Sequence, residues 1–307
     1  MRNFLLVAEQ VGVLFALMGV GAVCRRTRLV DEAAARGLVN VLILVVTPCL
    51  IVDVFQRPFD RGMLAGLGVA FLVALAAHFA AMLLARAAVR TPSDDTRRVL
   101  RVATVFSNAG FMGIPLEQAL LGDRGVFFGI VYVVVFNLLM WSWGLAVMRG
   151  GFRVNRMMFV NPGTAGLALG LPLFFLSLEL PPVLRAPVSM LADLNTPLAM
   201  LVIGYYLAGA KLADAVRNPA AHVASALRLV ALPLLVTAAL WPFRGRLDRD
   251  MMLATVIPAA APVGAMVTMF ASRYRRDVDM SVAMVSGTTL LSVVTMPVVV
   301  AIAMEVL

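Results

Sequence analysis

The stretch SNAGFMGIPL, residues 107–116, decides how this chain folds, because it places two glycines and a proline in the middle of an apolar run. Proline has no N–H group and its ring clashes with the carbonyl group four residues earlier, so Pro115 is expected to break a helix. Gly110 and Gly113 allow the backbone to unwind further. Inside a bilayer, such a break is tolerated only where the backbone lines a cavity or is buried in protein. The stretch therefore predicts a broken membrane helix with a polar site in its middle.

The composition of the chain excludes an ordinary soluble enzyme. Of its 307 residues, 62% are hydrophobic and 14% are charged, and the mean hydropathy is +0.94. Soluble globular chains carry about 25% charged residues because their surfaces face water. The apolar runs are about 20 residues long and lack the two-residue alternation of barrel strands, so they predict membrane-spanning helices. The expected fold class is an all-α integral membrane protein.

Charged residues, prolines and glycines divide the chain into ten apolar segments, each of which predicts one transmembrane helix. The segments are 4–24, 33–56, 62–85, 97–121, 125–148, 162–179, 187–210, 222–243, 250–272 and 279–304. When loops are assigned to alternate sides, 18 of the 26 Lys and Arg residues fall on one side and 8 on the other. The positive-inside rule makes the side with 18 cytoplasmic. We therefore expect a multi-pass protein of the plasma or inner membrane, with both termini on the extracytoplasmic side.

Two landmarks recur along the chain at nearly the same separation. Pro197 follows Pro48 by 149 residues, each after a threonine, and Pro262 in segment nine follows Pro115 in segment four by 147 residues. These offsets predict a five-helix unit, residues 1–150, and a second copy, residues 151–307. Because five is odd, the second copy would enter the membrane from the opposite side and form an inverted repeat. The alternative is that membrane helices tolerate proline generally, in which case the landmarks imply no symmetry.

The broken helices predict a site for an anion. Pro48, Pro115, Pro197 and Pro262 each free a carbonyl group, and Pro258 adds to the break in segment nine. A half-helix that begins at a break presents free N–H groups and about half a positive charge, which suits a carboxylate. If segments four and nine are inverted partners, their breaks meet near the middle of the membrane. No Lys or Arg lies in the middle third of any segment, so helix ends and neutral polar groups would hold the anion.

Candidate substrate-binding residues are those beside the breaks. They are Ser107, Asn108, Gly113, Pro115, Pro262, Thr47, Pro48, Thr196 and Pro197, with Asn195 as a further polar neighbour. Asn108 carries both a donor and an acceptor, and two interpretations of it stay open. Either it binds the substrate, or it only satisfies the backbone of its own helix break.

Three acidic residues within the segments are candidates for proton coupling, because ionisable groups in a membrane are costly and usually functional or paired. Asp193 is favoured because it lies about six residues, roughly 9 Å, inside segment seven, with helix capping as the alternative. Asp53 and Glu117 lie nearer the outward ends of their segments, where contact with water explains them equally well. For His78 in segment three, a hydrogen bond within the bundle is favoured over a proton relay.

No sequence signal points to a cofactor, a metal, nucleic acid or catalysis. Cys24 and Cys49 form no CxxC pair, and His78 and His222 lie 144 positions apart, so neither a metal cluster nor an HExxH protease is expected. The basic residues lack the interleaved aromatics of a nucleic-acid surface. The chain has no P-loop and no nucleophile elbow, so we expect neither an enzyme nor direct use of ATP.

The SNAGFMGIPL stretch resembles the auxin efflux carrier family, whose fourth span carries an Asn followed by Gly-Ile-Pro-Leu. The resemblance continues in Pro262-Val263-Gly264 and in TPLAM, residues 196–200, and it covers nearly the whole chain. It implies ten transmembrane helices as two inverted five-helix repeats, with broken crossing helices four and nine and an elevator-type movement. It also implies that the substrate carboxylate lies beside the crossing, near Asn108, Pro115 and Pro262.

The connection between the halves, about residues 149–161, is short, which is similar to bacterial members of that family and unlike its plant members. The resemblance therefore suggests a secondary transporter of a small carboxylate, such as malonate or an auxin-like monocarboxylate, that works by alternating access. Its expected partners are this substrate and the lipid bilayer, and a homodimer is left open. The alternative from another class is a membrane channel or receptor, because broken helices also line pores.

Overall fold

The chain is helical throughout the part that the computed structural model describes, residues 2–151, 162–209 and 217–307, apart from loops and one isolated pairing of extended backbone. In chain order the helices are α1 (Arg2–Arg26), α2 (Glu32–Val54), α3 (Arg61–Ala88), α4 (Asp94–Val105), α5 (Ala109–Arg149), α6 (Pro162–Phe175), α7 (Pro182–Leu207), α8 (Pro219–Phe243), α9 (Arg249–Ala260), α10 (Met266–Arg273) and α11 (Val278–Val306). The expected all-α fold class is therefore confirmed for these ranges. Lys211 and the connection at 152–161 lie outside the described residues.

Seven of these helices are long and apolar enough to cross a membrane, namely α1, α2, α3, α5, α7, α8 and α11. Their outer faces carry exposed large hydrophobic residues, such as Leu44, Leu72 and Leu83. Such a continuous apolar surface is unfavourable in water and favourable in lipid. The helix α5 is the most buried of the seven, so its beginning lies in the interior of the molecule.

Polar side chains begin several helices at loops. Asp31, Asp60, Ser93, Asp248 and Asp277 each precede a helix and accept a hydrogen bond from a backbone N–H in its first turn. Such caps satisfy N–H groups that have no partner within the helix.

The helices follow the ten apolar segments of the sequence. Segment four is α4 plus the first part of α5, and segment five is the remainder of α5, because Gly122 turns the chain at a φ of 64° and a ψ of −160°. Segment nine is α9 plus α10, and segment ten is α11. Within the described ranges, seven continuous helices meet the length and hydropathy of a membrane span.

The break in segment four lies earlier than expected. It is at Phe106–Asn108, where Phe106 has extended backbone, and not at Gly113-Ile114-Pro115. Pro115 stands in the first turn after a wide π-helical turn, Ala109–Gly113, and the chain stays helical through it. In this turn the hydrogen bonds span five residues, as from the Ile114 N–H to the Ala109 carbonyl oxygen, and the wider path accommodates the proline.

Two further prolines were expected to break helices and do not. α2 continues through Pro48 by way of a wide turn, Leu42–Val46, and the Thr47 hydroxyl donates to the Leu42 carbonyl oxygen at 2.8 Å. The Thr47 N–H donates to the same oxygen, so both bonds stay within the helix as it passes Pro48. α7 only bends at Leu194, before Pro197.

The helices pack in two groups. The first, called the scaffold group here, contains α1, α2, α6 and α7, in which α1 packs on α7 and α2 packs on α6 and α7. The second, called the crossing group, contains α3, α4, α5, α8, α9, α10 and α11, with α9 packed on α5, α8 and α11. The groups meet where α1 contacts α11 and where α7 contacts the turn Ala109–Gly113.

Candidate functional site

The two broken segments meet through their backbones. Residues 106–108, between α4 and α5, run antiparallel to residues 262–264, between α9 and α10, with Ser107 opposite Val263. The Asn108 N–H donates to the Pro262 carbonyl oxygen at 2.6 Å, and the Gly264 N–H donates to the Phe106 carbonyl oxygen at 3.0 Å. The irregular backbone of segment four therefore lies against that of segment nine.

Small residues allow this close approach. A Cβ atom on Gly264 would lie 3.0 Å from the Ser107 carbonyl oxygen, and one on Gly113 would lie 3.0 Å from the Pro258 Cα atom. Pro258 was expected to break segment nine, but it lies inside α9 near its end. Its ring instead packs against the wide turn that follows Asn108.

Helix ends of both signs face this crossing. α4 and α9 end at it, with Phe106 and Ala261 extended, whereas α5 and α10 begin just beyond it. The two ending helices present carbonyl groups with partial negative charge, and the two beginning helices present N–H groups with partial positive charge. This arrangement can bind a small polar or anionic group.

Asn108 lies at the centre of the crossing. Among the described residues, its side-chain amide makes no hydrogen bond. The residue is 7% exposed, and its backbone oxygen accepts hydrogen bonds from the N–H groups of Met112 and Gly113. Its side chain makes no capping hydrogen bond to the turn that it begins. The break is satisfied by the backbone, so the Asn108 amide remains free to bond a ligand.

The other predicted substrate-binding residues lie on neighbouring helices. Thr196 and Pro197 are half-buried in α7, which contacts the turn after Asn108. Thr47 and Pro48 are on α2, where Pro48 packs closely against Gly166 of α6. The crossing therefore brings together Ser107, Asn108, Gly113 and Pro262, while α7 borders it and Thr47 and Pro48 face the scaffold group.

The three acidic residues rank differently by burial in the structure than by their depth along the sequence segments. Asp193 is exposed, and Asp53 is half-buried within electrostatic reach of Asp193 and Arg185. Glu117 is 0% exposed, and neither of its carboxyl oxygens has a hydrogen-bond partner among the described residues. It lies so close to Gly129 that a Cβ atom there would overlap the carboxyl group.

One residue contradicts the expectation that no cation lies deep in the helices. Arg228 of α8 is 1% exposed. Its Nη1 atom donates to the carbonyl oxygens of Thr104 and Val105 at 3.2 and 2.9 Å, and its Nη2 atom donates to that of Ala259. The guanidinium group thus binds the ends of both α4 and α9. The sequence placed Arg228 with the cytoplasmic loop residues because segment eight was taken to begin at residue 222.

A sequence signal for the depth of Arg228 was present. Asn218 caps α8 and Pro219 follows it in the first turn, a pair typical of a helix start. Counting from Pro219 places Arg228 nine residues, about 13 Å, inside the helix. An arginine at that depth needs hydrogen-bond acceptors, which the two helix breaks provide.

Aromatic and polar groups surround this arginine. Tyr132 of α5 is 3% exposed and lies within electrostatic reach of Arg228. The ring centroids of His78 and Tyr132 are 4.8 Å apart, and the His78 Nδ1 atom lies 2.7 Å from the Ala74 carbonyl oxygen. His78 therefore makes the hydrogen bond within the bundle that the sequence favoured. Within the described ranges, no group of three His, Cys, Asp or Glu residues is placed to hold a metal.

Comparison with known proteins agrees with this architecture. The model of the family described as "Membrane transport protein" matches residues 6–153 and 150–300. A protein named "Uncharacterized transporter" from Methanothermobacter thermautotrophicus is 28% identical over 206 residues, which cover 64% of this chain and 65% of that relative. The match thus spans just under two thirds of the relative's own length. Since the family model covers nearly the whole sequence, the chain belongs to the membrane transport protein family, the auxin efflux carrier family that its residues 107–116 resemble.

Proposed function

We propose that this protein is a secondary transporter of a small organic anion, a carboxylate such as malonate or an auxin-like monocarboxylate. The observation that carries the proposal is the crossing itself, where two broken helices pair through their backbones beside the unused Asn108 amide. The beginning of α5 directly after Asn108 supplies N–H groups and partial positive charge for a carboxylate. Membership of a membrane transport family supports transport as the activity in which this site takes part.

The proposed architecture is ten transmembrane helices in two inverted repeats, residues 1–150 and 151–307. Two features support it. The breaks of segments four and nine, which hold equivalent places in the two halves, pair with each other. The contact of α1 with α7 is matched by that of α6 with α2, which is the equivalent pair under the repeat. Glycines lie close to the partner helix in both contacts, Gly21 against Leu201 and Gly166 against Pro48. With the buried Arg228 left out, the basic loop residues divide 17 to 8, which supports extracytoplasmic termini.

The proposed movement is of the elevator type, in which the crossing group carries the substrate past the scaffold group. The packing supports this division because each group is held together by its own contacts. The crossing group is also tied on both faces of the molecule. Arg124 pairs with Asp248 at one end, and Arg276 pairs with Asp95 at 2.5 Å at the other. A body joined at both ends can move as a unit.

Counterflow in proteoliposomes tests this function. Vesicles loaded with unlabelled malonate should accumulate labelled malonate, and the rate should saturate as its concentration rises. Flux that grows linearly with concentration would instead support a channel, and the absence of binding across a panel of mono- and dicarboxylates would contradict an anion site.

The residue test is Asn108→Ala. Loss of a hydrogen bond to a charged ligand costs about 1.5–3 kcal/mol, so the half-saturating malonate concentration should rise roughly tenfold or more. The matched control is Asn137→Ala in the same helix, because the Asn137 side chain bonds only its own helix, at the Val133 carbonyl oxygen. Unchanged transport in Asn108→Ala would remove Asn108 from the site.

A further inference from the structure

Arg228 is a buried cation for which the structure shows no acidic partner. No salt bridge reaches it among the described residues, and the electrostatic neighbour that acts on its guanidinium group is the Tyr132 hydroxyl. Three of its hydrogen bonds go to carbonyl oxygens, and its Nε atom, also buried, has no partner in the described part of the chain. A buried charge is very costly unless something of opposite sign compensates it.

The compensating groups are the ends of two helices. Thr104 and Val105 close α4, and Ala259 lies in the last turn of α9. The end of a helix carries about half a negative charge, so the two ends together balance roughly one positive charge. The Arg228 guanidinium bonds both ends at once, and it therefore neutralises the negative half of the crossing.

The positive half of the crossing is left without such a partner. α5 and α10 both begin there, and their first turns together contribute about one positive charge. Without Arg228 the four helix ends would sum to about zero and would favour neither sign of ligand. With Arg228 present the crossing carries an excess of about one positive charge.

We propose that Arg228 is a positioning residue that supplies the fixed positive charge of the crossing and so makes the site beside Asn108 selective for anions. This inference rests on the proposed function. Asn108 follows Val105 by three residues, so about 10 Å of extended chain separates the site from the arginine. A unit charge at that distance, at an effective dielectric constant of about 20, changes the affinity for a monovalent anion by roughly 10- to 20-fold.

The Arg228 charge must raise the affinity more for a ligand with two negative charges than for a ligand with one. The difference between two such ligands is therefore a measurement that a purely structural role of Arg228 would leave unchanged. Malonate is a dianion at pH about 7.5, and its half-amide, malonamate, is a monoanion of nearly the same shape. We would measure the half-saturating concentration of each compound in counterflow. The readout is the ratio between these two concentrations. Loss of folding or of mobility changes the amount of activity but not this ratio.

In Arg228→Gln the preference for malonate over malonamate should fall by roughly 10-fold relative to the wild type. Arg228→Lys keeps the charge and should keep the preference, even if its weaker fit to three carbonyl groups lowers the unfolding temperature. The matched control is Arg217→Gln, an exposed arginine just before α8, which should leave the ratio unchanged.

The outcomes separate this inference from the proposed function. If the wild type shows no saturable exchange of either compound, the proposed function fails and the inference fails with it. If the wild type exchanges malonate and the ratio is unchanged in Arg228→Gln, only the inference is overturned. If Arg228→Gln does not fold, Arg228→Lys decides, because a folded lysine variant that loses the malonate preference overturns a role based on charge.

Discussion

At the scale of single residues, the surroundings of Glu117 in the folded protein indicate a role that its position in the sequence does not. Its carboxyl group lies against Gly129, fully buried and without a hydrogen-bond partner in the described ranges. An ionised carboxylate there would have neither water nor a donor to stabilise it, so the protonated acid fits this conformation. We propose that Glu117 loses its proton only in another conformation of the carrier, where water reaches it.

This proposal predicts the behaviour of Glu117→Gln. The amide copies the protonated acid in shape but cannot release a proton, so accumulation of malonate driven by a pH gradient should be lost. Counterflow exchange at equal pH needs no net proton movement and should be retained. Asp193→Asn, at an exposed position, is the control and should keep both activities. Gradient-driven accumulation by Glu117→Gln at the wild-type level would exclude Glu117 from proton coupling.

The residue types beside the breaks could be predicted from sequence, but their surroundings could not. Ser107, Asn108 and Pro262 follow from the Gly and Pro pattern, and the structure brings them together. Arg228 and Tyr132 come from α8 and α5, and nothing local in the sequence says that Arg228 bonds the end of α4 or that Tyr132 lies beside it. Asp193 and Glu117 were ranked by depth along their helices, whereas burial depends on which face of the helix meets other protein.

At the scale of helices, the positions of the prolines predicted that irregular backbone occurs but not where the chain breaks. Pro115 and Pro48 each follow a wide π-helical turn, which absorbs the missing N–H without ending the helix. The true break at Phe106–Asn108 contains no proline. It exists because the residues between α9 and α10 supply backbone hydrogen-bond partners from 154 or more positions along the chain. A local sequence pattern cannot predict such a long-range contact.

The contact between α1 and α7 yields a prediction at this scale. Small residues let membrane helices approach closely, and Gly21 and Gly204 each lie directly against the backbone of the other helix. Gly21→Ala or Gly204→Ala should therefore force these helices apart and destabilise the protein by about 1–3 kcal/mol. The measurement is the thermal unfolding temperature in detergent.

The matched control is Gly19→Ala, two residues from Gly21 on the same helix. A Cβ atom on Gly19 would meet nothing within 4 Å, so this variant should unfold at the wild-type temperature or slightly above it. Equal unfolding temperatures for Gly19→Ala and Gly21→Ala would show that the two helices do not pack closely in the protein.

At the scale of the whole molecule, the proposed elevator movement requires that the site stay intact while its helices move past the scaffold group. The backbone pairing at the crossing and the Arg228 contacts lie entirely within the crossing group. Movement of that group would carry the site without breaking it. In the described ranges, the scaffold group contacts the site where α7 meets the turn Ala109–Gly113, and its largest contact with the crossing group is that of α1 with α11.

Two residue pairs at the end of the molecule where α9 begins test this movement. Arg57, just after α2 of the scaffold group, donates to the Asp123 carbonyl oxygen of α5 at 3.2 Å, so this pair joins the two groups. Arg124 of α5 bonds Asp248 at the start of α9, so this pair lies within the crossing group. In a background with Cys24 and Cys49 replaced by Ser, each pair is changed to two cysteines and joined with a short bifunctional thiol reagent.

Joining residues 57 and 123 should abolish malonate counterflow, because the reagent ties the moving group to the scaffold. Joining residues 124 and 248 should leave most of the counterflow, since these residues move together. Mass spectrometry measures the extent of joining in each sample, and the untreated double-cysteine proteins give the reference rates. Full counterflow after complete joining of residues 57 and 123 would contradict an elevator movement between these groups, because the crossing could then not have moved relative to α2.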